Sequence, residues 1–125
     1  MKTPIQTTEA PKAIGPYSQA IRIGEFLYSS GQIALDPNTG SLVLGGVEEQ
    51  TKQVMKNLMA VLAEARMGFE DVVKTTIFIK NMDDFAKVNE IYGSYLKEPY
   101  PARSTVEVAR LPKDVLIEID VIASR

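Results

Sequence analysis

The sequence predicts an α+β domain in which a mixed β-sheet carries two helices packed on one of its faces. Three observations support this fold class. Two segments repeat apolar residues at three- and four-residue intervals, as amphipathic helices do. Five shorter segments have the length and alternation typical of strands, and the order is strand, strand, helix, strand, helix, strand, strand. Right-handed crossovers at the two helices would bring both to the same side of the sheet.

The first half of the chain predicts a hairpin followed by a long helix. After a Gly-Pro turn, Tyr17 to Ile23 alternates as a strand, and Gly24-Glu25 can turn the chain back into a second strand, Phe26 to Ser30. A dense turn signal then separates this hairpin from the apolar stripe of Val47 to Met67. Gly68 is expected to end that helix, because glycine accepts the left-handed conformation at a helix terminus.

The segment Val72 to Lys80 predicts a central strand that is apolar on both faces. Val73, Thr75, Ile77 and Ile79 are expected on one face, with Val72, Thr76 and Phe78 on the other. Such a strand requires cover on both sides. Two helices on one face leave the other bare, so we expect a second copy of the chain to cover it.

The last third predicts a second helix and two strands. Asn81 or Asp83 is expected to cap this helix, and Pro99 and Pro101 to end it. Its apolar stripe consists of Phe85, Val88, Tyr92, Tyr95 and Leu96. Arg103 to Ala109 and Leu116 to Ala123 then alternate as strands, and simple hairpin pairing would join them across the turn at 111–114.

Composition limits both the partners and the chemistry. The 125 residues are the size of one domain, spanning 1–125, with a formal charge of −2 and no basic region that would attract nucleic acid. The chain has no cysteine and no histidine, which excludes thiol chemistry, imidazole proton transfer and most zinc sites. The first twelve residues do not resemble a signal peptide, and no apolar stretch is long enough for a membrane span. We therefore expect a cytoplasmic protein without a membrane or nucleic-acid partner.

Two charged residues on the predicted strands are candidates for chemistry. Arg103 follows Pro101-Ala102, and its planar guanidinium suits bidentate binding of a carboxylate, although spacing alone favours an ordinary surface or ion-paired arginine. Glu118 lies in the most hydrophobic strand, where desolvation would raise its pKa and suit it to activating water; a solvated outer face is the alternative. Hairpin pairing separates the two by several residues, so one subunit need not bring them together.

Three further residues stand out less strongly. Tyr17 offers a hydroxyl and an aromatic wall, Gly31 exposes its backbone to close approach, and Asn89 lies one position off the stripe of the second helix. Each of them is more often a packing, turn or surface residue than a functional one.

Several segments together resemble the Rid family of reactive-intermediate deaminases, also called YjgF proteins, over almost the whole chain. The segments are Ala13–Gln19, Ser29–Ile33, Val73–Thr76, Phe85–Asn89, and the most specific, Pro101–Asp114 followed by Ile117–Ile119. The resemblance implies a chorismate-mutase-like fold and a homotrimer with three clefts between subunits. It also implies hydrolysis of 2-iminopropanoate and 2-iminobutanoate to 2-oxo acids and ammonia, without cofactor or metal.

The same resemblance implies roles for individual residues. Arg103 would bind the substrate carboxylate and Glu118 would hold the attacking water. Tyr17 would form part of the cleft wall and assist proton transfer. Supporting contacts would come from the backbone of Gly31 and Thr105 and from the side chains of Ser30 and Asn89. Thr105 stands where many relatives have cysteine, which preserves a backbone role but not a thiol role, and Asp120 replaces a more usual glutamate.

Two other functions remain open on the sequence. A module that binds or senses 2-oxo acids without turnover would use the same arginine. An RNA-directed or chaperone-like activity, attributed to some relatives, is disfavoured by the acidic pI and by the lack of a basic aromatic surface.

Overall fold

Six strands and two α-helices make up the computed structural model, which describes all residues from Met1 to Arg125. The strands are β1 (Thr3–Ile5), β2 (Ala20–Ile23), β3 (Phe26–Ser29), β4 (Val72–Ile79), β5 (Ala102–Glu107) and β6 (Ile117–Ser124), and the helices are α1 (Val47–Glu64) and α2 (Phe85–Ser94). They form one sheet in the order β1-β2-β3-β6-β4-β5, antiparallel except for the parallel pair β4–β5. The predicted α+β fold with a mixed sheet is confirmed. No helix is both long and apolar enough to cross a membrane.

One face of the sheet packs against both helices and forms the core. Alternate residues of β6 are buried there, namely Ile117, Ile119, Val121 and Ala123. Leu58 and Leu62 in the stripe of α1 have no exposed surface. Each buried side chain of this size contributes roughly 1.5–3 kcal/mol. The two helices therefore lie on one side of the sheet, as the crossover argument predicts.

The opposite face of the sheet, which we call the open face, is uncovered in the single chain. Ile23, Phe26, Tyr28 and Val106 on this face are each more than 40% exposed. Glu118 and Asp120 lie on the same face, because they alternate with the buried residues of β6. A face that mixes large apolar side chains with two carboxyl groups is typical of an interaction surface rather than of a solvated one.

The predicted hairpin between the last two strands is wrong, because β4 lies between β5 and β6. The connection instead passes over the end of β4. Val108 N–H donates to Ile79 O before the turn, and Lys80 N–H donates to Leu116 O after it. The turn contains a short 3₁₀ helix, Pro112–Asp114, in which two successive residues have positive φ. Its length and conformation suit a crossing over one strand rather than a tight hairpin.

The ends of two predicted elements also differ in the structure. The strand expected from Tyr17 starts only at Ala20, and β1, which was not predicted, pairs with it through Pro4 opposite Ile21. Helix α1 ends at Glu64 rather than Met67, and Arg66 takes the left-handed conformation expected of Gly68. Carbonyl groups at this end are satisfied by arginine side chains, since Arg22 donates to Ala65 O.

A β-bulge changes which face the start of β4 presents. The pairing of β4 with β6 shifts register between Val72 and Lys74. Val72 consequently joins the buried face, whereas Val73 is 46% exposed. The predicted faces of these two valines are therefore exchanged, while Thr75, Ile77 and Ile79 are buried as predicted.

Candidate functional site

Arg103 projects from β5 towards helix α2. In the parallel ladder it lies opposite Thr75, which faces the helices, so both side chains are on the helix side of the sheet. The Arg103 Cζ lies 5.1 Å from the centroid of the Phe85 ring and 5.3 Å from that of Tyr92. Arg103 Nη1 donates a hydrogen bond of 2.6 Å to Asn89 Oδ1. The structure thus brings together Arg103 and Asn89, both of which the sequence singled out.

A cavity of about 480 Å³ opens beside this guanidinium, and we call it the arginine pocket. It is lined by Asn89, Tyr92, Gly93, Tyr100, Pro101 and Arg103. Arg103 is the only charged residue among them, and no carboxylate forms an ion pair with it. The guanidinium has five N–H donors, of which one is used by Asn89. The pocket is therefore suited to a small anion, above all a planar carboxylate.

Glu118 lies on the open face against Gly31. A methyl group built on Gly31 would come within 2.2 Å of Glu118 Oε2, so glycine leaves room for the carboxylate in its present position. Partial burial raises the pKa of Glu118, and the nearby Asp120 carboxylate raises it further. Burial also raises the pKa of Asp120, opposed by a hydrogen bond with Thr76. Glu118 is thus a better proton acceptor than an ordinary surface glutamate.

Ser30 connects Gly31 to the segment that carries Tyr17, and Tyr17 itself lines a second cavity, of about 580 Å³, together with Ser18 and Gln19. Ser30, the neighbour of Gly31, donates through Oγ to Ser18 O at 2.5 Å, and its N–H donates to Gln19 O. Tyr17 is 54% exposed, and its hydroxyl accepts a long 3.4 Å hydrogen bond from Ile14 N–H. We use the name glutamate cluster for Glu118, for Gly31, which it contacts, and for Ser30 and Tyr17, which are linked to Gly31 through the backbone and these hydrogen bonds.

The arginine pocket and the glutamate cluster are separate within one chain. Arg103 points to the helix side of the sheet, whereas Glu118 lies on the open face. Glu118 pairs with Phe78, three residues along β4 from the partner of Arg103. At about 3.3 Å per residue this adds roughly 10 Å along the strand, besides the width of two strands. The chain on its own does not assemble all the predicted site residues in one place.

Thr105 lies two residues after Arg103 on the same side of β5. Its hydroxyl oxygen is buried and has no hydrogen-bond partner. An unpaired buried hydroxyl costs roughly 1–3 kcal/mol, so this position favours a side chain without a hydrogen-bonding requirement. The Thr105 side chain does not line the arginine pocket.

The sequence did not identify Phe85, Tyr92 and Thr75 as neighbours of the arginine. Phe85 and Tyr92 were assigned only to the apolar stripe of the second helix, and Thr75 only to a strand face. A signal was present, because Phe85, Asn89 and Tyr92 follow the i, i+4, i+7 spacing of a single helix face. Buried Gln19 was also missed; its side chain bonds the backbone of Thr7, Ala10 and Pro11 and fixes the segment before Tyr17.

The chain has no group of three or more histidine, cysteine, aspartate or glutamate residues arranged to hold a metal ion. The side chains of the two half-sites can bind an anion through a guanidinium and transfer protons through a carboxyl group and a phenol.

The chain is similar to known proteins over almost its whole length. A family model described as endoribonuclease L-PSP matches residues 7–125. A RutC family protein of Pyrococcus horikoshii is 55% identical over 123 residues, which cover 98% of each chain. The 2-iminobutanoate/2-iminopropanoate deaminase of Homo sapiens is 50% identical over 119 residues, which cover 95% of this chain and 87% of the human one. The solved structure of YyfA from Yersinia pestis, a conserved Rid-family protein of unknown function, is 53% identical and superimposes over both whole chains with a TM-score of 0.97.

Proposed function

The chain belongs to the Rid family, also called the YjgF or endoribonuclease L-PSP family, and from this premise we propose that it hydrolyses 2-imino acids to 2-oxo acids and ammonia. The substrates proposed are 2-iminopropanoate and 2-iminobutanoate, which appear in the name of the human relative at 50% identity. We also propose that residues 1–125 act as a single Rid domain, in the cytoplasm and without a cofactor.

The observation that carries this proposal is the uncompensated charge of Arg103. Neutral groups hold the guanidinium in place, namely two aromatic rings and the Asn89 amide. An arginine paired with a carboxylate has already used its charge, whereas this one retains it for a ligand. A 2-imino acid carries its carboxylate next to the reacting carbon, so binding that carboxylate also fixes the C=N bond in space.

In the proposed reaction, water adds to C2 of the protonated imine, and the C=N electron pair moves to nitrogen. Glu118 accepts the proton that the attacking water loses, and Tyr17 assists its delivery to nitrogen. Ammonia then leaves as the new hydroxyl group gives its proton to Glu118, which is again ionised, and becomes the 2-oxo group. The raised pKa of Glu118 matches the first of these steps. A protonated imine is already electrophilic, so orientation and fixed charge are the main contributions required of the protein.

We further propose that a complete site forms between two copies of the chain, in a homotrimer with three such clefts. Support comes from the location of Arg103 and Glu118 on opposite faces of one sheet, and from the exposed apolar residues of the open face. The arginine pocket of one subunit would meet the glutamate cluster of the next. The backbone of Gly31 and Thr105 and the side chains of Ser30 and Asn89 would then supply the remaining contacts.

A binding module without turnover is the second candidate. It is favoured by the arginine pocket itself, which is complete in one chain and needs no catalytic carboxylate. Such a protein would bind 2-oxobutanoate as tightly as the enzyme does, but would leave imine hydrolysis at its uncatalysed rate. RNA-directed or chaperone-like activity has no comparable support in the geometry.

Ammonia release from freshly generated 2-iminobutanoate tests the proposal. The intact protein should accelerate release, Arg103→Ala should abolish the acceleration, and Glu118→Gln should reduce it while leaving 2-oxobutanoate binding in place. Arg110→Ala is the matched control, because Arg110 is an exposed arginine paired with Asp114 away from both half-sites. Binding without acceleration would favour the second candidate, and an Arg103→Ala variant of unchanged activity would exclude both.

A further inference from the structure

The arginine that holds the ligand must itself be held, and the structure shows how this is done without a counter-ion. Most arginines that are fixed in proteins are fixed by carboxylates, which compensate the charge. Here the immobilising contacts are the Phe85 and Tyr92 rings and the Asn89 oxygen. A ring face attracts a guanidinium through its quadrupole while leaving the net charge unchanged.

Tyr92 is the more tightly fixed of the two rings. It is 5% exposed, and its hydroxyl shares a buried hydrogen bond of 2.8 Å with Thr75 Oγ1. Thr75 is 2% exposed and lies directly opposite Arg103 in the β4–β5 ladder. The Arg103 guanidinium thus contacts the Tyr92 ring, and the Tyr92 hydroxyl is bonded to Thr75. Thr75 in turn pairs with the backbone of Arg103 in the sheet, so both ends of Arg103 are connected to Thr75.

We propose that Tyr92, anchored through its hydroxyl on Thr75, is the positioning residue that orients the Arg103 guanidinium towards the arginine pocket. Without the anchor the ring remains buried but loses the contact that sets its depth and angle relative to β5. Since bidentate carboxylate binding depends on the plane of the guanidinium, a small rotation weakens it. The choice of ligand in this inference rests on the proposed function, whereas the contacts that orient Arg103 do not depend on it.

The test compares two tyrosine-to-phenylalanine variants on the same segment of chain. Tyr92→Phe keeps the ring and removes the anchor, whereas Tyr95→Phe removes a hydroxyl from a ring that packs on Phe69 and does not contact Arg103. We expect the Kd for 2-oxobutanoate, measured by calorimetry, to rise about three- to tenfold in Tyr92→Phe, which corresponds to roughly 0.7–1.4 kcal/mol. Tyr95→Phe should bind like the wild type.

Variants of Thr75 test the anchor from its other end. Thr75→Val should weaken binding as Tyr92→Phe does, Thr75→Ser should restore it, and the Thr75→Val/Tyr92→Phe double variant should be no weaker than either single one. A hydrogen bond that served only the stability of the fold would lower the thermal midpoint and leave the Kd of the folded variants unchanged. Thermal unfolding of each variant shows whether the fold is retained. Unchanged Kd values in folded Tyr92→Phe and Thr75→Val overturn the inference.

Nuclear magnetic resonance separates this inference from the proposed function. The Arg103 side-chain N–H resonance, assigned by its absence in Arg103→Lys, should be displaced by the ring current and should move in Tyr92→Phe and Thr75→Val but not in Tyr95→Phe. If the wild type does not bind 2-oxobutanoate, the proposed function fails while this measurement still decides the positioning. A resonance at the position of a free arginine in the wild type overturns it.

Discussion

Replacing Gly31 by alanine is expected to slow the proposed hydrolysis while leaving the fold nearly as stable. The backbone of Gly31 is outside the left-handed region, so alanine adds no conformational strain there. The new methyl group would instead lie 2.2 Å from Oε2, 2.7 Å from Cδ and 3.0 Å from Cγ of Glu118. The perturbation therefore acts on a single neighbour, the carboxylate proposed to hold the attacking water.

The size of the effect follows from the distance that the carboxylate must move. Restoring ordinary contact at 3.4 Å requires Oε2 to retreat by about 1.2 Å. A displacement of about 1 Å of a reacting group can cost up to about 100-fold in rate, so we expect kcat to fall about 10- to 100-fold. Stability should change by less than about 1 kcal/mol, because Glu118 is half-buried and flexible, and alanine restricts the unfolded chain.

The assay is ammonia release from 2-iminobutanoate, with thermal unfolding measured in parallel. Glu118→Ala provides the control, because a methyl group on Gly31 has no carboxylate to displace in that background. Gly31→Ala should therefore have little further effect on kcat when combined with Glu118→Ala. An equally large loss in both backgrounds would refute the reasoning, and so would an unchanged kcat in the single variant.

Three further predictions concern pH, packing and assembly. Glu118→Gln should be more stable than the wild type at pH 7, by less than about 1 kcal/mol because the group is partly solvated. Burial raises the folded pKa of Glu118 above its ordinary 4.5, so wild-type stability is lost as the pH rises from about 4.5 through the raised pKa. Denaturant unfolding should therefore show the advantage at pH 7 and none at pH 4; an advantage independent of pH would contradict this cause. Thr105→Val should raise the free energy of unfolding by roughly 1 kcal/mol, because the buried hydroxyl has no partner; a lower thermal midpoint would show that the hydroxyl is satisfied in the folded protein. Val106→Lys, on the open face, should shift the mass measured by analytical ultracentrifugation from trimer towards monomer while the circular dichroism stays native, and an unchanged mass would place the subunit interface elsewhere.

Local patterns in the sequence were sufficient to predict most elements of the fold. The apolar stripes of both helices and the alternation along β6 depend on neighbouring residues and on the contrast between core and solvent, and the structure confirms them. Strand order depends instead on contacts between residues distant in sequence. The insertion of β4 between β5 and β6 is therefore not visible in the local pattern of any of these strands. The bulge that exchanges Val72 and Val73 likewise arises from pairing with β6.

The sequence names residues for a candidate site but does not give their arrangement in space. The resemblance to Rid proteins pointed to Arg103 and Glu118, and the structure gives each a suitable environment. That they lie on opposite faces follows from the register of β4 with both neighbours, which the sequence does not display. The contact of Phe85 and Tyr92 with Arg103 could not be predicted, because an aromatic residue on the apolar stripe of a helix is expected to pack in the core.

Pro4 in the outermost strand bears on how copies of this chain can associate. A proline has no N–H to offer, so β1 lacks one of the donors that an incoming strand would need along the outer edge of the sheet. A sheet can continue from molecule to molecule only if both edge strands pair with strands of other molecules. Of the two edge strands here, β1 is poorly suited to such pairing. Copies that associate through the open face, as proposed, would therefore not also add strands at the β1 edge to build a fibre.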